Sequence, residues 1–108
     1  MKIEKISVDD FKFSHDGTNH ILDMGLIDAN SARAFVLKIS DLKDAEKTSV
    51  RVMCGCTKVE TQVLNKTTLL TTLAYVDCDY QFTKTVKITE GTNIQLIKIT
   101  GTCQNQNI

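Results

Sequence analysis

The run Gln81 to Thr89, QFTKTVKIT, places Phe82, Val86 and Ile88 on one parity and Thr83, Thr85, Lys87 and Thr89 on the other. A period of two is the spacing at which a strand sends successive side chains to opposite faces, so one face of this segment is buried and the other wet. Lys84 breaks the apolar face, which predicts a position near a sheet edge with the lysine stem covering the core. Similar runs, rich in Val, Ile, Leu, Phe and Thr, recur along the whole chain, and proline is absent. They predict strands over Lys2 to Val8, Phe11 to Ser14, Ile21 to Ile27, Arg33 to Ser40, Thr48 to Cys54, Lys58 to Leu64, Leu69 to Val76, Gln81 to Thr89 and Asn93 to Thr102. Polar turn signals separate them at Asp16-Gly17, Asp28-Ala29-Asn30, Asp41 to Lys47, Asn65-Lys66, Asp77-Cys78-Asp79 and Glu90-Gly91. Only Asp41 to Glu46 has the composition for a helical turn. Strands of this length at this spacing predict an all-β, immunoglobulin-like antiparallel sandwich of seven to nine strands.

With 108 residues the chain is expected to be a single domain over 1–108, able to bury about 65% of its unfolded surface. Residues 104–108 form a polar tail, and no repeat or linker divides the rest. Thirteen basic residues balance thirteen acidic ones without a block of either sign, which argues against nucleic acid or an anionic membrane as partner. The N-terminal MKIEKISVDDFKF interleaves charges where a signal peptide would be continuously apolar, so the expected location is the cytoplasm or a virion.

Two strands carry more than the alternation. In Asn93 to Thr102, Ile94 and Leu96 share one parity and Ile97 and Ile99 the other. Either a bulge resets the register or both faces of that strand are covered, the outer one by a partner. In Ser49 to Cys56, Val50, Val52 and Cys54 share a face, whereas beyond it the apolar residues are Val59 and Val63. The face switches between Cys56 and Val59, and Gly55 supplies the backbone freedom for a bend.

Cys54-Gly55-Cys56-Thr57, followed by Phe82, Lys84 and Val86 and by a closing strand with Leu96, Ile99 and Gly101, resembles domain-of-unknown-function family 1573, with Asp23-Met24-Gly25 similar to that family's earlier Asp-Phe-Gly element. The resemblance spans roughly residues 21–103. It implies an immunoglobulin-like sandwich related to the Hydin-type and sperm-protein-like domains, and an interaction role with no catalytic activity to carry over. This chain departs from the pattern at Asn65-Lys66-Thr67-Thr68, where family members have a Pro-Gly turn, and in lacking the export signal common among them.

Chemical readings of particular residues are weaker than structural ones. Cys54, Cys56, Cys78 and Cys103 form a conceivable four-thiolate metal cluster, but structural zinc ligands come in pairs spaced by two to four residues and two of these cysteines stand alone. The Cys-x-x-Cys spacing of a redox helix is absent, and small buried hydrophobes in a reducing compartment are the favoured reading. His15, Asp16 and His20 flank a turn and offer a surface metal site or an acid/base pair; a solvated hairpin on Asp16-Gly17 is the plainer reading. Asp77 and Asp79 read as turn formers, because the rest of a calcium loop is missing. Asn65-Lys66-Thr67 fits a glycosylation acceptor, which matters only after secretion. No phosphate-binding glycine loop, serine elbow or zinc-protease helix is present.

No catalytic residue and no cofactor is therefore expected. The leading expectation is a non-enzymatic interaction module in a larger protein assembly, one concrete form being an auxiliary protein on a phage head that binds capsid protein. A cysteine-based metal or thiol protein is the alternative from another class, separable by metal analysis and thiol titration. A carbohydrate-binding module ranks third, because tryptophan is absent and only Tyr75, Tyr80 and four phenylalanines offer stacking rings.

Overall fold

The computed structural model describes residues 1–17, 19–28, 33–53, 57–75 and 81–104, with the backbone alone at 28, 57, 75, 81–82 and 103–104. Nine strands run in chain order: β1 (Lys2–Lys5), β2 (Lys12–Asp16), β3 (Asn19–Asp28), β4 (Arg33–Ser40), β5 (Ser49–Val52), β6 (Thr57–Asn65), β7 (Thr68–Tyr75), β8 (Gln81–Glu90) and β9 (Asn93–Gln104). Each corresponds to one strand expected from the alternation. They form a four-stranded sheet, β1-β4-β7-β6, and a five-stranded sheet, β2-β3-β9-β8-β5. This is the ABED and GFC arrangement of an immunoglobulin-like sandwich, with the β2–β3 hairpin added beside β9. Pairing is antiparallel except between β3 and β9, which run parallel. The helical segment shrinks to one 3-10 turn, Ala45–Lys47, capped by Asp44, whose carboxylate accepts from the Glu46 N–H at 3.1 Å.

The core is built from the inward parities of both sheets. Phe35, Leu37 and Ile39 of β4 and Leu69 and Leu73 of β7 face Leu22, Val86, Ile88, Ile97 and Ile99, all fully buried. Each such side chain contributes about 1.5–3 kcal/mol of burial, which is what closes the two sheets on one another. Val50, Val52 and Val59 pack on the margin of this core, as their parity predicts. Val52 ends β5 at the edge of one sheet and Thr57 begins β6 at the edge of the other. The change of face read from the sequence is thus a change of sheet between Val52 and Thr57. Cys54, Gly55 and Cys56 themselves lie outside the described residues, as does Cys78, and Cys103 is described only as a β9 backbone position opposite Ile27.

A second change of sheet, from β1 to β2, corrects the expectation of a strand through Val8. The Ser7 hydroxyl accepts the Val36 N–H at 3.1 Å, taking over a ladder bond, and donates to Asp9 at 2.7 Å. Asp9 also accepts from Lys5 and from the Phe11 N–H at 2.9 Å. Side-chain bonding of this kind competes with the ladder and turns the chain before Val8. Although burial pulls the Asp9 carboxyl upward, its bonds to Lys5, Ser7 and Phe11 and the Lys5 charge hold it below its ordinary value.

Lys84 is half-buried with the inward parity of Val86, but its strand lies between β9 and β5 and is not the sheet edge expected; the last described rung between β5 and β8 is Val52 with Val86. In β3, Gly25 adopts φ +66° and its N–H bonds to the Asp23 carboxylate at 2.8 Å, where the register with β9 slips between Asp23 and Leu26. A side chain is strained in that left-handed region, which explains glycine at the bulge. The slip returns Ile27 to the core and leaves Leu26 65% exposed.

Candidate functional site

The pairing of the closing strand removes one of the two alternatives left open by its sequence. Its register with β8 is continuous from Gln81–Thr102 to Glu90–Asn93, so no bulge separates Leu96 from Ile97. Gln95, Ile97 and Ile99 therefore face inward, while Ile94, Leu96, Lys98 and Thr100 face outward. Ile21 of β3 stands beside Lys98 with the outward parity, 40% exposed, and Ile94 is 44% exposed. Leu96 lies between Asn19 of β3 and Lys87 of β8, and Lys87 pairs in turn with Arg51 of β5. Across the middle of this face the apolar side chains Ile21, Ile94 and Leu96 are thus bordered by Lys87, Lys98 and Arg51. The rest is Thr83, Thr85, Thr89, Thr100, Ser14 and Ser49, with Lys12, Asp16 and Asp23 toward the β2–β3 edge.

The outer face of the four-stranded sheet has a different character. Lys2, Glu4, Lys38, Lys58 and Glu60 alternate in sign around Val36, Leu70, Thr72 and Ala74. Its edge strand β6 is nine residues long and exposed almost throughout, with Lys58 and Glu60 supplying the charge that guards an open edge.

The histidines lie elsewhere, on the inward side of the five-stranded sheet at its β2–β3 edge. His15 and His20 occupy the same rung of the hairpin, closed by Gly17 at φ +62°. Their Nδ1 atoms are 2.5 Å apart. His20 is only 6% exposed, which corrects the expectation of a wholly solvated hairpin: its even parity, shared with Leu22 and Met24, turns it under the sheet. Its Nε2 bonds to the Gln95 Oε1 at 2.6 Å, and Gln95 Nε2 reaches the Met1 carbonyl at 3.4 Å. Phe13 stacks on the His20 ring at a centroid distance of 5.8 Å and meets His15 edge-on at 4.8 Å. Burial and, less strongly, the charge of His15 push the His20 imidazolium to titrate below its ordinary range, against the support of Gln95. The Asp16 and His residues flanking the turn were visible in the sequence. Gln95, 75 positions away, was not, and only its inward parity among isoleucines marked it.

Of the other residues singled out by sequence, Asp77 and Asp79 lie outside the described residues. Asn65 and Thr67 form the β6–β7 turn, in which the Asn65 side chain accepts from the Thr67 N–H at 2.9 Å. Among the described residues no group of three His, Cys, Asp or Glu side chains is arranged to hold a metal ion.

No family model matches the chain, and no curated protein does. Among solved structures it is similar to the BIgI domain of beta protein from S. agalactiae, determined bound to CEACAM1. The match covers 98% of this chain and 100% of that one, with a TM-score of 0.54 and 14% sequence identity. At that identity the likeness is one of fold, and it establishes the immunoglobulin-like sandwich.

Proposed function

We propose that this protein is a non-catalytic interaction module that docks a protein partner on the outer face of its five-stranded sheet. The observation that carries this reading is the unbroken β8–β9 register, which leaves Ile94 and Leu96 on the outward parity of a strand whose inward parity is already filled by Ile97 and Ile99. An apolar centre with a polar, charged rim is the anatomy of a protein interface. The rim is cationic on the β8–β5 side, at Arg51, Lys87 and Lys98, and acidic on the β2–β3 side, at Asp16 and Asp23, which favours a partner whose charges are arranged in the opposite sense around an apolar contact. The BIgI domain, of the same fold, was determined bound to CEACAM1, so the fold supports a binding role in that protein. Attachment to a larger assembly, such as a phage head in contact with capsid protein, is the finer form of the proposal, together with a cytoplasmic or virion location. Kinship with family 1573 is proposed on the same footing, from Cys54-Gly55-Cys56-Thr57 and the elements that follow it.

The test is photocrosslinking in the native source, with a photoreactive residue at Leu96 and, as control, at Thr72 on the outer face of the other sheet. A single partner captured from position 96 and absent from 72 is expected. Capture from 72 alone, or from neither, overturns the reading.

A further inference from the structure

We propose that His15 and His20 form a binding site for a divalent transition metal ion, Zn²⁺ or Cu²⁺, with their Nδ1 atoms as ligands and water completing the shell. Gln95 donates through its Nε2 to the Met1 carbonyl, which turns its Oε1 toward His20. A carbonyl oxygen only accepts, so His20 Nε2 carries the proton and its Nδ1 presents a lone pair. That lone pair is aimed at the Nδ1 of His15, 2.5 Å away. At this separation the His15 Nδ1–H donates to that lone pair; with the rings moved apart and His15 in its other tautomer, the two Nδ1 lone pairs can converge on one metal ion.

Three features favour a metal as an alternative occupant. The Nε2–H of His20 bonded to an amide oxygen is the outer-shell arrangement that orients a ligating imidazole and raises its basicity. The two ligands stand on one rung of a hairpin, so the backbone has already aligned them. Both open onto a cavity of ≈ 330 Å³ beneath β1, bordered by Met1 and by the Lys2–Glu4 ion pair, 3.6 Å apart, which admits a hydrated ion and leaves room for its waters. Zn–N bonds of about 2.0–2.1 Å at a tetrahedral angle require the nitrogens to stand roughly 3.3 Å apart. His15 is exposed and free to swing back by that difference, while His20 stays fixed by Gln95 and Phe13. With two protein ligands the site is open and exchangeable, in contrast to a closed structural zinc centre. Imidazole nitrogen selects Zn²⁺ or Cu²⁺ over Mg²⁺ or Ca²⁺.

This site lies on the opposite face of the sheet from the proposed docking surface, so either proposal stands if the other falls. The experiment is a Zn²⁺ titration of the full-length ¹⁵N-labelled protein, followed by the histidine side-chain nitrogen resonances, which separate imidazole from thiolate binding. The Nδ1 signals of both His15 and His20 should shift while His20 Nε2 keeps its proton. His15→Ala, at an exposed position that leaves the core intact, should weaken binding at least tenfold. Gln95→Leu should weaken it 10- to 100-fold, the usual effect of losing an outer-shell partner. Nδ1 signals that stay fixed up to about 1 mM Zn²⁺, or an affinity unchanged in His15→Ala, overturn the proposal.

Discussion

The chain passes from one sheet to the other at both open edges of the sandwich, and the described residues beside the two corners differ in how they are held. At the first, β1 to β2, polar side chains fix the path: Asp9 collects three donors, Ser7 replaces a rung of the ladder, and Phe11 then packs edge-on against Phe35 at 6.1 Å. At the second, β5 to β6, the described flanking residues are Val50, Val52 and Val59 on the core margin, with the Met53 N–H donating to the Thr85 carbonyl at 3.1 Å. A hydrogen-bonded corner is specific and sensitive to charge. One flanked by apolar packing depends mainly on the area it buries.

The largest expected effect breaks the contact between the first corner and the core. Phe35→Ala should cost about 3–5 kcal/mol, because the ring is fully buried and Phe11 loses its partner, leaving a cavity. Urea denaturation checks this, and a loss no larger than that of an exposed substitution would contradict the packing described. Next in size, Asp9→Asn should cost about 1.5–3 kcal/mol at neutral pH, since it weakens bonds made to a charged acceptor. The folded carboxyl titrates below its ordinary 3.8, so the unfolded chain takes up the proton first as pH falls. Its contribution is therefore complete above about pH 4 and fades as the solution is acidified through the lower, folded value. Thermal unfolding between about pH 6 and 2 should show a shallower acid limb in Asp9→Asn than in the parent.

The smallest effect concerns the second edge and has the opposite sign. Thr71 of β7, opposite Thr61 of the edge strand, is fully buried, and its hydroxyl finds no partner among the described residues. Thr71→Val removes that unmet demand without changing the shape of the side chain, and should stabilise the fold by about 1 kcal/mol. An equal loss in the denaturation midpoint would show that the hydroxyl is satisfied.

The contrast between the corners also explains which of them the sequence disclosed. Val50, Val52, Val59 and Val63 keep to the strand period on either side of the second corner, so their change of parity is visible in the letters. At the first, Ile6 and Val8 fall on the parity opposite to Ile3, so a break is present in the letters there too, but the unbroken β-forming composition through Val8 hides where the strand ends. The deciding event is Asp9 bonding back to Lys5 and Ser7, a choice among local partners that periodicity does not express. The candidate docking face was legible to the same degree: the double parity of Ile94, Leu96, Ile97 and Ile99 posed two alternatives, and the ladder with β8 removed the bulge.

By itself the sequence determined that nine strands form and, for most of them, which side chains turn inward, because both follow from a period of two that neighbouring residues enforce on one another. Tertiary structure alone decided that β3 lies parallel to β9, and hence that Gln95 meets His20. Pairing between distant segments is set by how the sheets close over a shared core, and no local pattern in either segment carries that information.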